Sequence, residues 1–276
     1  MSLTPERVAE LNELCRQERI DVLKAIHSIQ SGHPGGSFSV MEILTVLYQE
    51  RMNVTAENYD SPERDRLVLC KGHAAPALYS NLILKGILPQ GSMSTLRQAG
   101  SLLRGHPCNH TPGIDMSSGP LGMGLSAAQG IALGLRMDGI NARVFAILGD
   151  GELNEGTVWE AAQSIPKFKL ANLTAVVDHN CVQLDGTTDE VMPLYNVGDK
   201  FRAFGWNVVE CDGHDVSALN DAFEAAAAYT EGPTMVVAHT VKGKGVSFME
   251  GKCAWHGKAP NAEELAEALK ELGGAE

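Results

Sequence analysis

The sequence predicts an α/β protein, a doubly wound and mostly parallel sheet with helices on both faces. Two observations carry that expectation. From residue 123 onward, stretches with helical periodicity alternate with short apolar runs rich in β-branched residues. Two of those runs, 144–148 and 173–177, each end in a polar, loop-forming cluster, as buried strands do at their carboxyl ends.

The elements follow in order. A first helix spans 5–30: Thr4 can cap it, Pro5 suits its first position, and Val8, Leu11, Leu14 and Cys15 share one face. It stops at Ser31-Gly32-His33-Pro34-Gly35-Gly36, and a second helix covers 40–49. A strand at 67–70 leads into Lys71-Gly72-His73-Ala74, then a helix at 77–84 and a loop-rich stretch over 86–119. Beyond it the expected order is helix 123–138, strand 143–148, helix 156–165, strand 173–178, helix 196–204, strand 206–211, helix 215–229 and strand 234–239. A closing helix starts at Asn261, which with Glu264 resembles a capping box, and ends at Gly273-Gly274. No repeat or low-complexity linker interrupts the chain, so one domain over 1–276 is expected. Gly122, Ser126, Gly130 and Gly134 form a small-residue stripe, and glycine costs a helix about 1 kcal/mol relative to alanine. The stripe implies close approach of another backbone, either the chain's own sheet or a second subunit.

Acids outnumber bases 34 to 22, a net charge of −12, which argues against a nucleic-acid binder. Six scattered cysteines without a C-x-x-C pair point to reduced thiols in a cytoplasmic protein rather than to disulfides or a zinc cluster. No secretory signal or membrane span is expected, since the most apolar stretch, 121–135, is shorter than the roughly 20 residues a bilayer requires.

Chemistry concentrates at loop positions. Asp150, in Gly149-Asp150-Gly151, and Asn180, thirty positions later, each follow an apolar run. At the carboxyl ends of two nearby parallel strands they would face one crevice. A carboxylate and an amide oxygen suit Mg²⁺, which completes its shell with phosphate oxygens and water. Four histidines directly follow glycine (His33, His73, His106, His214), and His256 precedes one. Such turns can aim imidazoles into a crevice, and an imidazole near its unperturbed pKa serves proton transfer and hydrogen bonding alike.

Gly-Asp-Gly followed after about thirty residues by Asn resembles the thiamine-diphosphate motif, and the surrounding text resembles the transketolase family. The resemblance runs from about residue 10 to about residue 260 and implies the thiamine-diphosphate-binding fold. It also implies Asp150, Asn180 and the Val182 carbonyl as Mg²⁺ ligands, with Gly151 and Glu152 against the diphosphate. Ser31-Gly-His-Pro-Gly35 implies His33 for substrate, Lys71-Gly-His-Ala74 implies His73 for the diphosphate, and Gly105-His-Pro107 implies His106 for substrate. Gly119, Pro120 and Leu121 would lie along the cofactor. His256 would stand near diphosphate and substrate, in less similar surroundings. His214 resembles a strand-to-helix turn without catalytic duty. Glu155 is either a helix-start acid or the glutamate that links two active sites across a subunit contact.

The resemblance covers only the diphosphate-binding part of a transketolase; a pyrimidine-binding domain has no counterpart in this sequence. That implies one subunit of a split enzyme, inactive alone and assembled with a pyrimidine-domain partner as a heterotetramer of two copies each. The expected reaction moves a two-carbon ketol unit from a ketose phosphate to an aldose phosphate, with a branched or sulfonated sugar phosphate also open. The alternatives are a 1-deoxyxylulose 5-phosphate synthase-like transfer from pyruvate and a non-catalytic cofactor-binding subunit. A nucleotide-binding reading is weaker, since no strand leads into G-x-G-x-x-G.

Overall fold

The structure is a computed structural model, and it describes residues 2–274. Among them, five strands form one sheet: β1 (Arg66–Leu69), β2 (Val144–Gly149), β3 (Leu173–His179), β4 (Asn207–Asp212) and β5 (Thr234–His239). All pairings are parallel and the order is β1-β2-β3-β5-β4. The helices are α1 (Pro5–Ile29), α2 (Pro34–Ser39), α3 (Met41–Val46), α4 (Ala75–Leu84), α5 (Met123–Met137), α6 (Gly156–Lys167), α7 (Thr188–Val191), α8 (Val197–Ala203), α9 (Val216–Ala228) and α10 (Ala262–Glu271). None is long and apolar enough to cross a membrane.

Side chains alternate across the strands and build a core on each face. Leu67, Leu69, Phe145, Ile147, Val176 and Val236 pack on one side with α1, α3, α4 and α9. Val68, Val144, Ala146, Leu148, Ala175 and Val177 pack on the other with α5, α6 and α8. The doubly wound expectation is met.

The expected caps are in place. Thr4 accepts the Arg7 amide at 3.3 Å, and Asn261 and Glu264 form a reciprocal capping box. The expected helix over 40–49 is different: the chain is already helical from Pro34, breaks at Val40 and ends in a π-turn over Leu47–Arg51. Gly35 and Gly36 read as a stop signal but lie inside α2, where they permit close approach instead. A Cβ at Gly35 would stand 2.8 Å from the Trp255 carbonyl oxygen, and one at Gly36 2.9 Å from His73 Nε2. Pro34 tolerates this because the first helical position needs no amide donor.

The small-residue stripe does not pack on the chain's own sheet. Ser126 is exposed, and a Cβ added at Gly130 or Gly134 would meet nothing within 4 Å. The face of α5 that meets the sheet carries Leu125, Ala128, Ala132 and Leu135. The close contacts are Gly122, at the head of the stripe, where a Cβ would stand 2.6 Å from Thr157 Oγ1 of α6, and Gly124, outside the stripe, where a Cβ would collide with the Cys70 side chain.

A buried carboxyl joins three helices on the other face. Glu18 of α1 accepts the Thr45 hydroxyl at 2.7 Å and the Ser80 hydroxyl at 3.0 Å. Burial pushes it up to about 8, against the pull of those two donors. An unfolded glutamate ionises near about 4.3, so between those values only the unfolded state gives up its proton. Stability from this group is therefore full at acid pH and is lost as pH rises through the folded value. Glu18→Gln should gain on the parent protein in urea midpoint progressively from about pH 5 to about pH 8, with a constant difference above. A pH-independent difference would contradict the assignment.

Candidate active site

The carboxyl tips of β1, β2, β3 and β5 surround one cavity of about 160 Å³. That is below the roughly 300–1,000 Å³ that encloses a drug-sized ligand, so it suits the charged end of a cofactor rather than the whole. His73, Leu121, Asp150, Gly151, Glu152, Asn180, Val182 and His256 all line it. His33, His106, Gly119, Pro120 and Glu155 do not.

β2 and β3 pair Gly149 with Asp178, which brings the residues after both tips together. Asp150, 2% exposed, accepts the Gly151 amide at 2.7 Å and also the Cys181 amide. Burial, with the charge of Asp178 next, pushes its carboxyl up to about 6. Asn180 Oδ1 accepts the Val182 amide at 3.1 Å, which folds the loop so that the Val182 carbonyl faces the cavity. Lys242, just beyond β5, donates to that carbonyl at 2.9 Å and to His256 Nδ1 at 2.8 Å. Burial, then the neighbouring Lys71, pushes Lys242 down to about 8.

Four imidazoles cluster at the cavity. Ring centroids lie 4.9 Å apart for His73 and His256, 5.4 Å for His33 and His73, 5.5 Å for His33 and His256, and 6.2 Å for His33 and His106. Burial and then Arg97 hold His33 down to about 4, and burial and then Lys242 hold His256 down to about 3. Burial holds His73 well below the usual imidazole range, and burial with Arg97 lowers His106. At neutral pH the cluster is uncharged and keeps its lone pairs.

Glu152 is engaged as a strut, accepting the Gly122 amide at 2.7 Å and the Gly149 amide at 3.3 Å, so it fixes the 119–122 segment against the tip of β2. Glu155 is exposed at the start of α6, outside the cavity. Leu121 reaches the cavity, whereas Pro120 is exposed and Gly119 borders His106. His214 is structural: its Nε2 accepts the Val241 amide at 2.8 Å, so Nδ1 carries the proton toward Glu42, 3.0 Å away.

Sequence reasoning missed three cations. Lys71 is 1% exposed and pairs with Asp178, which also accepts from Ser39 at 2.6 Å and from Thr240. The ammonium donates to the Gly36 carbonyl at 3.0 Å as well, tying α2 to the tips of β1 and β3. Burial raises the Asp178 carboxyl, but Lys71 overrides it and holds the group below the usual range. Arg97, in left-handed backbone (φ 57°), donates to Ser31 Oγ at 2.9 Å and to the Gly105 carbonyl at 3.3 Å, joining the turns that carry His33 and His106. Lys242 is the third. For Lys71 and Lys242 a signal was available: each lies just past an apolar strand, beside glycine.

The donor set fits a divalent cation and a diphosphate. The ammonium of Lys242 on the Val182 carbonyl marks that oxygen as one that addresses a cation, with Asp150 and Asn180 on the same wall. Glycines leave the space an anion needs: a Cβ at Gly151 would lie 3.0 Å from Gln183 Cβ. Gln183 Nε2 and His33 Nδ1 are buried without a partner, and such groups require one.

An oxygen-lined, glycine-floored crevice at the tips of a doubly wound sheet defines a phosphate-cofactor domain of the α/β class. Residues 11–276 match the family described as "Transketolase, thiamine diphosphate binding domain", and the chain belongs to that family. It is 38% identical to an apulose-4-phosphate transketolase subunit of Phocaeicola vulgatus, over 96% of this chain and 95% of that one. It is 44% identical to a 6-deoxy-6-sulfo-D-fructose transketolase subunit of a Clostridium species, over 91% of each. The crystal structure of transketolase from Campylobacter jejuni superposes with a TM-score of 0.91 at 31% identity, covering 96% of this chain but 43% of that one. The chain is thus a transketolase-type transferase component with a thiamine-diphosphate-binding domain.

Lys71→Met leaves Asp178 buried and unpaired, and should cost about 3–5 kcal/mol in urea unfolding, with much of it recovered in the Lys71→Met/Asp178→Leu double variant. A single-variant loss under about 1 kcal/mol, the size of an exposed pair, would contradict the assignment.

Proposed function

We propose that this chain is the diphosphate-binding subunit of a split transketolase, a single domain that acts in the cytoplasm with a pyrimidine-domain partner as a heterotetramer. The reading rests chiefly on one observation: Asp150, Asn180, Val182 and Gly151 line one cavity together with His73 and His256. Asp150, Asn180 and the Val182 carbonyl would hold Mg²⁺. His73, Gly151 and the 119–121 segment would meet the diphosphate. Near-complete coverage of relatives named as subunits, against 43% of the Campylobacter chain, supports the split arrangement. So does a cavity too small to enclose a whole cofactor.

Thiamine diphosphate, when bound, supplies the carbon nucleophile and electron sink for breaking and remaking a carbon–carbon bond. This chain's residues would bind, orient and move protons. His33 and His106, neutral at working pH, would hydrogen-bond donor-sugar hydroxyls and exchange protons with them. His256, kept neutral beside Lys242, would serve both diphosphate and substrate. Glu155, exposed at the start of α6, would act at the subunit contact and link paired sites. The substrates would be a ketose phosphate donor and an aldose phosphate acceptor, and the relatives' names leave branched and sulfonated sugars open.

Asp150→Ala should weaken Mg²⁺-dependent thiamine diphosphate binding beyond the roughly 10–100-fold lost with an outer-shell partner, with the circular dichroism spectrum preserved. Calorimetric titration of the assembled enzyme reads this directly, and unchanged affinity would remove Asp150 as a ligand. Ketol transfer should be absent when the chain is assayed alone with cofactor and Mg²⁺, and should appear on adding a pyrimidine-domain polypeptide. Turnover by the chain alone would overturn the split reading.

A further inference from the structure

Lys242 is held from both sides along the backbone. The Gly243 amide donates to the Gly35 carbonyl at 3.0 Å, and the Val241 amide donates to His214 Nε2 at 2.8 Å. His214, in the turn between β4 and α9, does not line the cavity. Its Nδ1 stands 3.0 Å from Glu42 Oε2, and Arg19 donates to the same oxygen at 2.6 Å. Arg19 and Glu42 are 5% and 6% exposed, so the pair sits almost wholly out of water. Burial raises the Glu42 carboxyl, but Arg19 and then His214 outweigh it and hold the group down to about 2. An ionised carboxylate only accepts, so the proton of His214 stays on Nδ1 and the Nε2 lone pair faces the Val241 amide.

This series of contacts ends at the cavity. The buried stem of Lys242 runs past Gly35, where a Cβ would stand 3.0 Å from its Cγ. Its ammonium then donates to the Val182 carbonyl at 2.9 Å and to His256 Nδ1 at 2.8 Å. A flexible four-carbon stem holds one ammonium between two acceptors only while its Cα is fixed. We propose that His214 is a positioning residue for the cofactor site, setting Lys242 through the Val241 amide and, through Lys242, the Val182 carbonyl and His256. Arg19 and Glu42 serve the same end by fixing one tautomer, as a carboxylate does behind a histidine that ligates a metal. This role presupposes that the cavity holds Mg²⁺ and diphosphate; there, a misplacement of about 1 Å can cost about a hundredfold in rate.

Nitrogen-15 spectra of the histidines test the arrangement in the full chain without cofactor. His214 should be the Nδ1-protonated tautomer, and the Nε2-protonated form would overturn the proposal. In His214→Phe the His256 Nδ1 resonance should move toward its position in Lys242→Met, and no movement would equally overturn it. Calorimetry on the assembled enzyme in saturating Mg²⁺ then separates positioning from stability. His214→Phe should weaken thiamine diphosphate binding by about 10–100-fold, the loss expected for an outer-shell partner. In a Lys242→Met background the same substitution should have no further effect on affinity, although it still lowers the urea midpoint. Equal losses of affinity in both backgrounds would mean that His214 acts other than through Lys242, and the proposal would fall. A parent enzyme that binds no thiamine diphosphate would instead remove the split-transketolase reading, while the resonances still read the role of His214.

Discussion

The buried pair between Lys71 and Asp178 is the constraint on which the site depends. Removing two charges from water costs several kcal/mol each, offset only when geometry is good and the remaining hydrogen-bonding capacity is filled. Here it is filled: Ser39 and Thr240 donate to the carboxylate, and the ammonium reaches the Gly36 carbonyl. Four separate pieces of chain, at the tips of β1, β3 and β5 and in α2, therefore have one common arrangement. Gly36, Lys71 and the loop after Asp178 border the cavity, so the same pair sets the cavity's dimensions.

Around that fixed point the site keeps cations near imidazoles and amides near acids. Arg97 and Lys242 add to burial in keeping His33, His106 and His256 neutral. The Gly151 and Cys181 amides offset part of the burial that raises Asp150, and the Gly122 and Gly149 amides do the same for Glu152. These two acids, two positions apart in sequence, thus differ in use. Asp150 folds the loop after β3 against the tip of β2, whereas Glu152 fastens the segment before α5.

The sheet was legible because short apolar runs rich in β-branched residues, and cap residues, are local signals. Asn261 with Glu264, and Thr4 with Pro5, needed no tertiary knowledge. Asp150, Asn180 and the histidine turns were legible because spacing and glycine context survive in one dimension. Gly35 and Gly36 were misread because a glycine that admits a distant side chain looks the same in sequence as one that ends a helix. Arg97 was invisible for a related reason: its partners, Ser31 and Gly105, lie far away or across a loop, and it follows no apolar strand of the kind that marks Lys71 and Lys242.

The in-register pairing of Gly149 with Asp178 makes chain length within the strands a functional quantity. Adding or deleting one residue inside β2 would turn its side chains to the opposite face and carry Asp150 away from the Cys181 amide. The long connection between α4 and α5 is freer only in its exposed stretches, such as 98–100; elsewhere Leu96, Leu103 and Ile114 enter the core, Asp115 holds Arg64 and the Leu67 amide, and Ser118 donates to the Leu69 carbonyl. Length variation among descendants of this chain should therefore collect in those stretches and spare the strands, even where the strand residues themselves drift.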